Sequence, residues 1–152
     1  MRRSLTVLST LTALIAALAN QSWSRTPYER TDNGVISRLN GKSDHAGQAV
    51  RLVVINERII RVSAVPSGEL RETASLLAVA KPNDNMDFTI ERGDGLVTIS
   101  TSSLSAEVSL KTGAVSFTDN DGTLFLTELN GSGRSFMPVM AIGEKGYTVR
   151  QQ

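Results

Sequence analysis

The most regular alternation of apolar and polar residues in this chain runs from Leu104 to Glu128. Leu104, Ala106, Val108 and Leu110 alternate with Ser105, Glu107, Ser109 and Lys111. Successive side chains of a strand point to opposite faces, so the pattern predicts a strand with one apolar face and one wet face. Thr112-Gly113 predicts a tight turn, because glycine reaches positive φ without steric cost. Ala114 to Thr118 then sets Val115 and Phe117 on one side. Asp119-Asn120-Asp121-Gly122 predicts the next turn, where Asp and Asn bond their own backbone. A third strand follows, with Leu124 and Leu126 on one face. Each Leu, Val or Phe buried here would contribute about 1.5–3 kcal/mol. Three strands cannot cover their own apolar face, so the pattern demands a second layer.

The preceding sequence offers material for that layer. Asp32-Asn33-Gly34 reads as a turn into a strand at Val35 to Leu39, after a loose lead-in from Arg25 to Arg30. Gly41 to Gly47 is polar and loop-like. Val50 to Ile55 and Ile59 to Ala64 form a predicted hairpin, with Ile60, Val62 and Ala64 on one face. Pro66-Ser67-Gly68 ends it, and Leu70 to Thr73 has no clear pattern. Leu76 to Ala80 is a short apolar run closed by Lys81-Pro82-Asn83-Asp84-Asn85. Phe88 to Glu91 and Leu96 to Ser100 pair around Arg92-Gly93-Asp94-Gly95. After the loop Asn130 to Ser135, Pro138 interrupts the apolar run Phe136 to Ile142 and marks it as an edge or irregular segment. Gly143 to Gly146 reads as a turn, and Tyr147 to Gln152 as the start of a strand. Strand signals every 8–12 residues or so predict an all-β antiparallel sandwich.

The first 24 residues stand apart. Arg2 and Arg3 precede an apolar stretch from Leu5 to Leu18, short of the ~20 residues a spanning helix needs. Ala17-Leu18-Ala19 has the small-x-small form of a cleavage site, and Ser22-Trp23-Ser24 is a second candidate. Residues 1–24 are therefore expected to be a signal peptide, and residues 25–152 an exported domain, periplasmic or secreted. The formal charge is +1 overall; loss of two arginines and no acid leaves 14 basic against 15 acidic residues, a net −1. That balance gives no electrostatic reason to expect nucleic acid, and no membrane association is expected after cleavage. The chain has no cysteine, which excludes disulfides, thiol catalysis and a cysteine lipid anchor.

Candidate chemistry is sparse. His45 is the single histidine, beside Asp44 in a polar loop, and no G-x-S-x-G elbow supplies a nucleophile for it. Asp119-Asn120-Asp121-Gly122 resembles the start of a calcium loop but lacks the spaced ligands and closing Glu, and a hairpin turn accounts for it. Arg92-Gly93-Asp94 spells an adhesion tripeptide and equally describes a hairpin turn. Asn130-Gly131-Ser132 is a glycosylation sequon. Gly131 and Gly133 do not lead a strand into a helix, so no phosphate cradle is expected. Asp87, Glu91, Asp94, Glu107, Asp119 and Asp121 fall on turns or polar faces, and no two of them form an evident glycosidase pair. Aromatic platforms for sugar would have to come from Tyr28, Phe88, Phe117, Phe125, Phe136 and Tyr147, several of which read as core. No catalytic, cofactor-binding or metal-binding residue is nominated, and no cofactor is expected.

The ordered set of strands resembles the N-terminal domain of glycoside hydrolase family 31. The resemblance is carried by Val50-Arg51-Leu52-Val53-Val54-Ile55 with Ile59-Ile60-Arg61-Val62, then Leu96-Val97-Thr98-Ile99-Ser100-Thr101 with Leu104-Ser105-Ala106-Glu107-Val108. Thr112-Gly113-Ala114-Val115-Ser116-Phe117-Thr118-Asp119 and Leu126-Thr127-Glu128 extend it. Tyr28 to Val35 looks most like exported bacterial α-xylosidase and α-glucosidase members. The resemblance implies a galactose-mutarotase-like sandwich that precedes a catalytic (β/α)8 barrel, whose two aspartates cleave α-xylosides or α-glucosides with retention. No catalytic residue carries over to this chain. The strand at Tyr147 to Gln152 stops where the family's strand continues, so the domain is expected to be incomplete at its C-terminal end. Two other readings stay open: a self-standing carbohydrate-binding module, and a periplasmic interaction domain. Few exposed aromatics are expected, which weighs against the module.

Overall fold

The computed structural model describes residues 26–40, 47–66, 70, 81–82, 86–128 and 133–151. The expected signal peptide, the loop with His45, the run Leu76 to Ala80 and the Asn130 sequon lie outside the described residues.

Eleven strands are described, all paired antiparallel, in three sheets. The first sheet holds β1 (Tyr28–Thr31), β2 (Gly34–Arg38), β3 (Ala49–Asn56) and β4 (Ile59–Val65) in sequence order. The second holds β5 (Thr89–Gly93), β6 (Leu96–Ser100), β7 (Leu104–Ser109), β8 (Val115–Asp119) and β9 (Leu124–Thr127), again in order. The predicted hairpin at Phe88 to Ser100 and the three-stranded meander are thus one continuous sheet. The third is a hairpin of β10 (Arg134–Ala141) and β11 (Glu144–Gln151).

The first two sheets are the two layers that the alternation demanded. Val35, Val50, Leu52 and Val54 of one share a buried cluster with Val97, Ile99, Ala106, Val108, Leu110 and Val115 of the other. Ile60, Val62 and Ala64 pack against it, on the face their spacing assigned. β3 is buried on both faces, since Ala49, Val53 and Ile55 are also inaccessible, and this explains why its sequence is almost continuously apolar. Gly34 has a steric duty. A Cβ there would run into the carbonyl of Leu52, so β1–β2 enters its sheet only with glycine at that position.

Three expectations need correction, and a fourth is narrowed. The lead-in at Arg25 to Arg30 is not loose, for Tyr28 begins β1 and pairs with Ser37. Leu124 and Leu126 do not share a buried face: a bulge pairs them with Thr118 and Phe117, adjacent residues on opposite faces, and both are exposed on β9, the outermost described strand of its sheet. Of the two readings offered for the Pro138 segment, edge or irregular, the edge strand holds. Pro138 sits opposite Tyr147 in an eight-residue strand, and in a two-stranded sheet a free edge tolerates its missing N–H. The last turn is Ile142-Gly143, so β11 already starts at Glu144.

Candidate functional site

The sandwich has two ends of different character. At one end the turns β3–β4, β6–β7 and β8–β9 converge. Thr101 Oγ1 donates to the Glu57 carbonyl across 2.7 Å and ties the two sheets together there. The same oxygen accepts the backbone N–H groups of Ser103 and Leu104 at 3.2 and 3.1 Å, which closes the β6–β7 turn. Asn56 Oδ1 accepts the N–H of Arg58 at 2.9 Å in the β3–β4 turn. Asp119 Oδ1 accepts those of Asp121 and Thr123, at 3.0 and 2.8 Å. The calcium-like run is therefore an Asp-closed hairpin turn, with one of its carboxylate oxygens committed to backbone. Asn120 Nδ2 reaches the Ser102 carbonyl and links the β8–β9 turn to the β6–β7 turn.

Two hollows flank the Thr101 bridge. One, of about 440 Å³, lies between Arg58, Ser102, Asn120, Asp121 and the ring of Phe125. The other, of about 700 Å³, lies between Glu57, Asp87, Thr89 and Ser100, with Met86 at its wall. Both are broad depressions open to solvent rather than enclosed cavities. The acids examined in the sequence are split among these places. Asp119 and Asp121 border the first hollow and Asp87 the second. Glu91 and Asp94 ride the β5–β6 hairpin towards the opposite end, and Glu107 points out of β7. Asp94 and Gly95 both have positive φ, 46° and 79°, the geometry of a two-residue hairpin turn, so Arg92-Gly93-Asp94 is turn chemistry first.

At the opposite end the β10–β11 hairpin leaves the sandwich as an arm. Its root is firmly held. Arg134 Nη2 lies 2.7 Å from Glu128 Oε1, with side chains only 16% and 7% exposed. Glu128 Oε2 accepts the N–H of Val115 at 3.1 Å. Phe136 is buried beside Gly47, and Gly133 turns at φ 67° against the Thr112 carbonyl. Beyond Phe136 the arm exposes Met137, Val139, Met140, Ile142, Tyr147 and Val149. Of the aromatics considered as platforms, Phe88 and Phe136 are buried, Tyr28 and Phe117 half-buried, and Phe125 and Tyr147 exposed.

The Glu128–Arg134 pair and the bulged Phe125 were not identified from sequence. Glu128 sits between Thr127 and Leu129 at the end of a strand, and nothing local distinguishes it from a surface acid. Phe125 had a signal: three consecutive apolar residues, Leu124-Phe125-Leu126, break strict alternation. The register shows why, since Leu124 pairs with Thr118 and Leu126 with Phe117, leaving Phe125 as the extra residue of a bulge.

The architecture defines an antiparallel β-sandwich with a polar loop end and an apolar arm. No family model matches the sequence. Among solved structures, a GH31 α-xylosidase from Xanthomonas citri is 33% identical with a TM-score of 0.69, over 81% of this chain and 13% of its own. A GH31 α-xylosidase from a soil metagenome, solved with xylose, is 22% identical with a TM-score of 0.52, over 68% of this chain and 14% of its own, and speaks to the fold alone. The chain is a glycoside hydrolase family 31-related domain, and its match is consistent with the N-terminal domain of such enzymes. It spans 13–14% of the length of the enzymes it matches.

Proposed function

We propose that this chain is the non-catalytic N-terminal scaffold of an exported α-glycosidase acting on α-xylosides or α-glucosides. The observation that carries the reading is the 33% identity to an α-xylosidase, sustained over 81% of this chain at a TM-score of 0.69. The arm supports it. Its apolar residues stand on a well-anchored root and find no cover among the described residues, as a surface that packs on a catalytic barrel would. The n-region, apolar length and cleavage pattern of residues 1–24 support export, and the sandwich is of the galactose-mutarotase type on the strength of the same resemblance.

The test is a chimaera. This chain replaces the matching segment of the Xanthomonas citri α-xylosidase, and hydrolysis of an aryl α-xyloside is followed. The chimaera is expected to turn over, and this chain alone to give no rate above a buffer blank. Turnover by the chain alone, abolished by replacing one of its own acids, would overturn the scaffold reading.

A further inference from the structure

We propose that the hollow beside Phe125 is a binding subsite for a neutral sugar ring, held apart from the arm at the other end of the sandwich. The bulge in β9 aims Phe125 out of the strand's alternation, and bulges commonly re-aim a side chain in this way. The ring is 60% exposed, an unusual state for a Phe without a partner. Phe117 lies beside it with centroids 6.3 Å apart and planes tilted by 35°, a contact that leaves the other side of the ring open. An aromatic face with one open side suits the apolar C–H face of a pyranose.

The polar groups around the ring complete the match. Arg58 and Asp121 are both exposed at the rim, one offering donors and the other acceptors to hydroxyl groups. With Asp119 also on its border, the hollow sets two carboxylates against one guanidinium, a balance that does not favour a phosphate and offers acceptors to sugar hydroxyls. Asn120 is already tied to Ser102, and Thr101 to Glu57, so the three turns that frame the hollow are joined before any ligand arrives. A framework ordered in advance loses little entropy on binding. The arm roots near Gly47, Thr112 and Val115, at the far end of the sheets, so a partner on the arm leaves the hollow open.

The choice of sugar as ligand rests on the glycosidase reading; the site itself does not. The test titrates the chain, labelled for amide and aromatic NMR, with methyl α-xyloside and with maltotriose. Saturable shifts are expected at Arg58, Ser102, Asp121 and the Phe125 ring. Phe125→Ala should weaken binding about tenfold, the worth of one good aromatic contact, while Phe125→Tyr keeps it. Phe125 is largely outside the core, so an unchanged amide spectrum elsewhere will certify the fold of both variants. No shifts with either sugar, shifts away from the hollow, or binding indifferent to Phe125→Ala would each overturn the subsite. An active chimaera with no titration sinks this inference alone; a titration with an inactive chimaera sinks only the scaffold.

Discussion

Val108 and Glu107 are neighbours in β7 that face opposite ways. Val108 is fully buried between the sheets, opposite Val97 and Val115. Glu107 lies on the outer face, with Thr98 and Ser116 as its cross-strand neighbours. Val108→Asp would place a carboxylate without a partner in the core, and should cost roughly 4 kcal/mol or more. Glu107→Lys meets no like charge in its cross-strand pairs and should change stability by no more than about 0.5 kcal/mol. Denaturation midpoints of the two variants decide between the faces, and a larger loss from Glu107→Lys would reverse them. A second residue-scale test concerns the arm's root. Glu128→Ala leaves the buried Arg134 guanidinium without its carboxylate, and breaking a buried pair from one side typically costs about 3–5 kcal/mol. Replacing both, Glu128→Leu with Arg134→Met, should recover most of that loss in the same unfolding experiment. A single variant no worse than an average surface change would show that the pair is not shielded.

At the scale of elements, the β10–β11 turn is built against local preference. Ile142 has φ 51° and Gly143 φ 79°, so both central residues are left-handed. Glycine suits that geometry, whereas a β-branched residue does not, at a cost on the order of 1–2 kcal/mol. Ile142 is also fully exposed, so among the described residues no packing offsets the strain. Ile142→Asn creates the Asn-Gly pair that such turns favour and should stabilise the arm by about 1 kcal/mol. Slower amide exchange through β10 and β11 is the expected result; unchanged or faster exchange would show that Ile142 is held by something other than the turn. This turn also shows where sequence reading reached its limit. Strands with clean alternation, such as Leu104 to Ser109, and turns with Asp-Gly or Thr-Gly were legible because side-chain period and glycine placement are local. Tyr28 to Thr31 was not, since Y-E-R-T carries no apolar row and forms a strand only by pairing with β2. The Ile142-Gly143 turn was hidden by its isoleucine. The loop end was illegible for a different reason: Arg58, Ser102, Asp121 and Phe125 are scattered along the chain and meet only when the two sheets stack.

For the whole molecule, the decisive feature is that the two ends of the sandwich carry opposite kinds of surface. The polar end is cross-linked by hydrogen bonds between turns, while the arm end displays Met140, Ile142 and Val149 at 66%, 104% and 55% exposure. Apolar surface of this kind gains about 25 cal/mol for every Å² removed from water, so in the absence of a barrel two copies should cover each other's arms. The chain is therefore expected to self-associate with concentration. A competing route is open at β9, whose outer edge has no strand beside it among the described residues and whose Leu124 and Leu126 are exposed; free edges template pairing with another chain. The triple variant Met140→Lys, Ile142→Lys, Val149→Lys separates the two. It charges three of the arm's six exposed apolar positions and leaves β9 untouched, and since all three side chains lie outside the core its melting temperature should hold. Sedimentation across a concentration series should show an associating parent and a monomeric triple variant. A triple Glu variant should behave alike, which excludes a mere effect of added positive charge. Association that survives both variants and disappears with Leu126→Lys would move the sticky surface to the sheet edge. A parent chain that stays monomeric at every concentration would mean that the arm's apolar side chains need no cover, and the strongest structural support for a docked barrel would go with it.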